Sequence, residues 1–157
     1  MNISSYNITD VGYHYIGLRV VGAQEVTKRD DQVSAISVAV GKYVRDRALR
    51  LMLPATSGTF ETVGKKVCQE LAHLGLAQSA RGAYVLTELG MRALALLNAR
   101  QTRELRILMI RAHVETYDNL RYALRRHIEL GEVLRPVVEA GRANDPGYLA
   151  SLLTVVC

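Results

Sequence analysis

Apolar residues recur along this chain with two different periods, and the places where the period changes mark its elements. Val33, Ile36, Val40, Tyr43 and Val44 follow helical spacing and predict a helix after the charged segment "TKRDD", capped by Asp30 or Asp31. The helix runs on, or re-forms after a bend, through "RDRALRLML", with Ala48, Leu51 and Met52 inward. Pro54 ends it, because the residue before a proline is pushed out of the α region. "PATSGT" is then a turn, and Thr59 caps the next helix. In "FETVGKKVCQELAHLG" the residues Phe60, Val63, Gly64, Val67, Cys68, Leu71 and Leu74 form one stripe, and Gly75 closes the helix in the left-handed conformation. The opposite face carries Glu61, Thr62, Lys65, Lys66, Gln69 and His73.

The period then falls to two. Leu76 to Ser79 and Ala83 to Leu86 are predicted to pair as a small hairpin, with Gly82 supplying a positive φ at the turn and Tyr84 and Leu86 on one face. Thr87 opens another helix through "ELGMRALALL". From about Arg100 to Leu130 the pattern is that of one long helix, continuous or broken once, with two apolar stripes. Leu105, Leu108, Met109, Ala112, Leu120, Leu124 and Ile128 form the first, and Ile107, Ile110, Val114 and Tyr117 the second. A helix buried on two sides needs two neighbours, either within the chain's own bundle or in a second copy.

The two ends are less determinate. Val11 to Val26 is either a strand, with His14, Ile16, Leu18 and Val20 on one face, or a helix capped by Asp10; its length favours the helix. Beyond Leu130, a short helix near Pro136 to Ala140 and a loop through "GRANDPG" lead to "LLTVVC", an apolar ending that predicts either docking into an interface or a longer parent protein.

Composition narrows the class. Of 157 residues, 49% are hydrophobic and 22% charged, ordinary globular usage that argues against disorder. The start lacks a basic region followed by an apolar one, and no apolar run approaches the ~20 residues of a membrane span, so a cytoplasmic location and no membrane partner are expected. The net charge is +5 and unevenly spread: residues 81–126 hold 9 Lys and Arg against 4 Asp and Glu, while residues 127–157 hold 2 against 4. Such asymmetry favours a polyanionic partner.

The order helix, turn, amphipathic helix, hairpin, helix in "CQELAHLGLAQSARGAYVLTELGMRAL" resembles the winged helix-turn-helix superfamily. In that resemblance Leu71, Leu74, Gly75 and Leu76 end the recognition helix, Gly82 turns the wing, and Tyr84, Leu86, Thr87 and Gly90 return the chain to the core. It implies a mainly α fold with a small β-hairpin wing in residues 31–98, preceded by an N-terminal segment, residues 1–30, and followed by a helical extension, residues 99–157. It also implies binding of double-stranded DNA as a homodimer that regulates transcription. The face Thr62, Lys65, Lys66 and Gln69 has the polar and basic character a major groove requires, and Arg81 stands where a wing meets phosphate, so these five are the expected DNA contacts. Lys65 and Lys66 also fit a plain solvated face, and Arg81 an ordinary turn. Glu61 would repel phosphate and the wing carries one arginine, which keeps open an adaptor or structural subunit binding other protein subunits.

No catalysis and no cofactor are expected. His14, His73, His113 and His127 lack metal-ligand spacing, no phosphate-loop or nucleophile-elbow motif occurs, and Cys68 faces inward, far in sequence from Cys157.

Overall fold

A computed structural model describes residues 11–23, 25–52 and 60–116. Their elements run α1 (Val11–Gly22), α2 (Arg29–Arg50), α3 (Val63–His73), β1 (Ala77–Ala80), β2 (Ala83–Leu86), α4 (Glu88–Asn98) and α5 (Thr102–Thr116). The described fold is therefore mainly α with one small antiparallel hairpin. Its residues fall into two compact units divided between Leu94 and Ala95. Residues predicted as the end of the long helix, the short helix near Pro136 and the terminal apolar segment lie outside the described residues, as do Pro54 and Thr59.

In the first unit, α1 packs on α2, α3 and β2, so this N-terminal helix is part of the same unit as the hairpin. The choice between strand and helix is decided by packing. His14, Leu18 and Val21 are buried at helical spacing, and two of the glycines that weaken a helix in isolation are close-approach points. A Cβ at Gly17 would meet Val67 Cγ1 at 2.6 Å and Leu71 Cδ1 at 2.8 Å, and one at Gly22 would meet Leu94 Cδ2 at 2.4 Å. Tyr13 and Tyr43, edge to face with centroids 6.1 Å apart, join α1 to α2.

α2 is a single continuous helix of 22 residues, about 33 Å long. Its N-cap is Lys28, with no side-chain cap bond, so Asp30 and Asp31 are not caps; they stand in the first turn, where a carboxylate favours the helix dipole. Gln32, Ile36, Ser37, Val40, Gly41 and Ala48 are buried. Leu51 and Met52, expected inward, are instead 56% and 93% exposed. The helix ends at Arg50 and Met52 turns to φ 51°, so helical spacing no longer decides which way these side chains point.

The apolar stripe of α3 is inward as its spacing requires: Gly64, Val67, Cys68, Leu71 and Leu74 are buried, and Phe60 and Val63 half-buried. The helix begins at Val63 rather than Phe60, with Thr62 as N-cap. It crosses α2 closely at Gly64, where a Cβ would lie 1.9 Å from the Val33 carbonyl oxygen. The Gly64 N–H donates to Ser37 Oγ at 2.9 Å, so the crossing is also hydrogen-bonded.

Gly75, at φ 73°, ends α3 in a Schellman arrangement: its N–H donates to Ala72 O at 3.1 Å and the Leu76 N–H to Leu71 O at 2.9 Å. Thr87 then joins two helix ends. Its Oγ1 donates to Gly75 O at 2.6 Å and accepts the Gly90 N–H at 3.1 Å, making it the N-cap of α4. In the second unit, Arg100 at φ 56° closes α4, which separates α4 from α5. On α5, Leu105, Leu108, Met109 and Ala112 are buried, Ile107 is half-buried, and Arg103, Arg106 and Arg111 are exposed. No described helix is long and apolar enough to cross a membrane.

Candidate nucleic-acid interface

Because the apolar stripe of α3 is fixed against α1 and α2, its complement must face solvent. Thr62, Lys65 and Lys66 are exposed and Gln69 half-buried, and their spacing of three, four and seven residues puts all four on one outward strip. His73 extends the strip at the C-terminal end and Glu61 adjoins it at the other, both exposed. The strip thus offers two ammonium groups, a hydroxyl and an amide, with one carboxylate at its edge.

Arg81 is on a different element, the two-residue turn of the hairpin, and is exposed. Both turn residues have positive φ, 49° at Arg81 and 79° at Gly82, which is the type I′ geometry that matches the twist of a two-residue hairpin. Glycine accepts this without strain, whereas an arginine in the left-handed region costs about 1 kcal/mol. Arg81 therefore holds its place at the tip against a local preference.

The hairpin is tied down by residues that the sequence pattern assigns to a charged loop and a helix start. In the register Ser79 opposite Tyr84, next to the hydrogen-bonded pair at the turn, the Tyr84 N–H and C=O point away from β1. Gln32 takes both: its Nε2 donates to Tyr84 O at 2.8 Å and its Oε1 accepts the Tyr84 N–H at 2.8 Å. One turn earlier on α2, the Arg29 N–H donates to Gly82 O at 3.0 Å. The Arg29 guanidinium donates to Ser79 Oγ and lies over the Tyr84 ring, 5.0 Å from its centroid.

Behind the strip, α3 carries a buried carboxylate. Glu70 is fully buried and its Oε1 is 3.8 Å from Nε2 of His14, itself 2% exposed, so α1 and α3 meet through a polar pair as well as apolar side chains. The sequence holds a signal for this, since Glu70 falls in the row Val63, Val67, Glu70, Leu74 and so has to point inward. The partnership of Gln32 and Arg29 with residues about fifty positions later has no such signal.

The described residues contain no group of three or more His, Cys, Asp and Glu placed to hold a metal. Cys68 is buried, and burial pushes its thiol up to about 11 against a smaller opposing pull from Arg29, so it is a protonated thiol at neutral pH. A groove of about 400 Å³ lies between α2 and the start of α3, lined by Asp30, Val33, Ser34, Ser37, Val38, Phe60 and Glu61; its two carboxylates suit it poorly to phosphate. No protein-family model matches the chain, nor does any curated protein or solved structure.

Proposed function

We propose that this protein is a DNA-binding winged helix protein, a transcriptional regulator that acts as a cytoplasmic homodimer on duplex DNA. The observation that carries this reading is the outward strip of Thr62, Lys65, Lys66 and half-buried Gln69 along α3 and its N-cap, flanked by a tethered hairpin with Arg81 at its tip. In this reading α3 enters the major groove and the hairpin lies along the flanking backbone. Lys65 and Lys66 supply phosphate attraction or a guanine contact, while Thr62 and Gln69 read base edges. The C-terminal helices of two copies set the spacing of the half-sites.

Duplex-DNA titration over a range of salt concentrations tests this. Lys65→Ala with Lys66→Ala lowers affinity and flattens the dependence of log K on log salt by about 0.9 for each phosphate no longer neutralised. Weak binding that the double substitution leaves unchanged removes the DNA reading. A second reading, an adaptor that binds protein, is favoured by one feature of α2: Val38 and Leu49 are 70% and 77% exposed, and Leu51 and Met52 follow at its end. Sedimentation of the intact chain separates a homodimer from a subunit that requires a partner.

A further inference from the structure

The hairpin brings Arg81 beside two cations that a major-groove reading of α3 does not use. The Arg29 N–H bonds to the carbonyl of Gly82, the other turn residue, so the exposed residues Lys28, Arg29 and Arg81 adjoin one hydrogen-bonded junction between α2 and the hairpin. Of these, Arg29 is the most constrained. Its guanidinium is held between Ser79 Oγ and the face of Tyr84, and of its five donors Ser79 engages one nitrogen. Among the described residues neither Lys28 nor Arg81 forms an ion pair.

Neither carboxylate of the first turn shares the side of the helix that Arg29 occupies. Asp30 lines the groove with Val33, Phe60 and Glu61, toward the start of α3. Asp31 follows Arg29 by two residues and so lies about 200° around the helix from it. The Arg29 side of the first turn thus faces the hairpin, while Asp31 is the helix-face neighbour of Lys28, three residues before it.

We propose that Lys28, Arg29 and Arg81 form one phosphate-binding surface, a second contact with the DNA backbone distinct from the α3 strip. This rests on the DNA reading of α3 and adds the α2 contribution to it. The side-chain charges carry the contact, and the hairpin tether holds them in register with α3. Because Gln32 and Arg29 fix the hairpin before any ligand arrives, its backbone needs no rearrangement to bind.

The test is fluorescence anisotropy of the full chain with a duplex of random sequence over a range of salt concentrations. Lys28→Ala and Arg81→Ala each lower the salt slope by about 0.9, and together by about twice that. Arg29→Lys keeps the charge and keeps the slope. Circular dichroism and exchange of the Tyr84 amide verify that the hairpin remains folded in each variant. If the Lys65→Ala/Lys66→Ala variant loses slope while Lys28→Ala/Arg81→Ala does not, the second surface is refuted and the α3 reading stands. If the wild type shows no salt-dependent binding, the DNA reading fails and this surface fails with it.

Discussion

Replacing Gly64 by alanine places one methyl group where α2 and α3 cross. The added Cβ would lie 1.9 Å from the Val33 carbonyl oxygen, 2.6 Å from Ser37 Oγ and 2.8 Å from the Val33 carbonyl carbon. Ordinary contact begins at 3.4 Å, so about 1.5 Å has to be found, and backbone atoms of a helix cannot swing aside as a side chain can. Moving α3 away breaks the 2.9 Å bond from the Gly64 N–H to Ser37 Oγ, about 1 kcal/mol, and overpacking of this kind costs a further ~1–3 kcal/mol. The better helix propensity of alanine returns about 1 kcal/mol. The expected balance is a loss of about 1–3 kcal/mol, measured as a lower urea midpoint with an unchanged m value. Gly41→Ala is the control, because its Cβ would stand 3.2 Å from a ring atom of Phe60 and 3.4 Å from the Arg45 guanidinium, side chains that can give way. If Gly64→Ala is as stable as the wild type while Gly41→Ala is not, the close crossing of α2 and α3 is wrong.

Three other perturbations probe the hairpin and the core. Gln32→Leu leaves the Tyr84 N–H and C=O without their partner and destabilises by about 2–3 kcal/mol, with faster exchange of the Tyr84 amide; unchanged exchange would contradict the tether. Arg81→Gly removes both the left-handed strain and the cation, so thermal stability holds or rises by up to about 1 kcal/mol while duplex binding weakens, and a fall in both would mean the side chain serves the fold. In a Cys157→Ser background, the Cys68 thiol ionises near 9 when unfolded and near 11 when folded. The unfolded chain therefore releases this proton first, and a contribution of about 2–3 kcal/mol, complete below pH 9, is lost as the pH rises to 11. Adding Cys68→Ala abolishes this part of the pH dependence, which denaturation at stepped pH measures.

How far the sequence speaks for the structure depends on how local the deciding interaction is. The hairpin is legible because its determinants are neighbours: Gly75 ends one helix, Arg81 and Gly82 turn the chain, and Thr87 caps the next helix. The outward strip of α3 is legible as the complement of a stripe within a single helix. α1 is not, since its tyrosines, valines and glycines fit either period until Val67, Leu71 and Leu94 fill the space that Gly17 and Gly22 leave open. Leu51 and Met52 escape the pattern because the helical period holds only as far as the residue at which the helix stops. Arg29 and Gln32 look like part of a charged helix start because their partners lie 50 and 52 residues away.

Those two long-range partnerships bear on how α3 and the hairpin act together. Apolar packing favours contact but not direction, and it tolerates small rotations and slides of one helix along another. Hydrogen bonds do not, and α2 makes them to both parts of the candidate interface. Ser37 fixes the first turn of α3 through Gly64, and Gln32 fixes the hairpin edge through Tyr84. The two residues are five positions apart on one unbroken helix, a rise of about 7.5 Å. The offset between the α3 strip and the hairpin is therefore set by a rigid segment of α2 as well as by the hydrogen-bonded link from Leu74 to Leu76. A change that loosens either bond moves one candidate surface relative to the other while leaving both surfaces chemically intact. Binding should then fall through geometry, with the weakening shared by the α3 lysines and Arg81 alike.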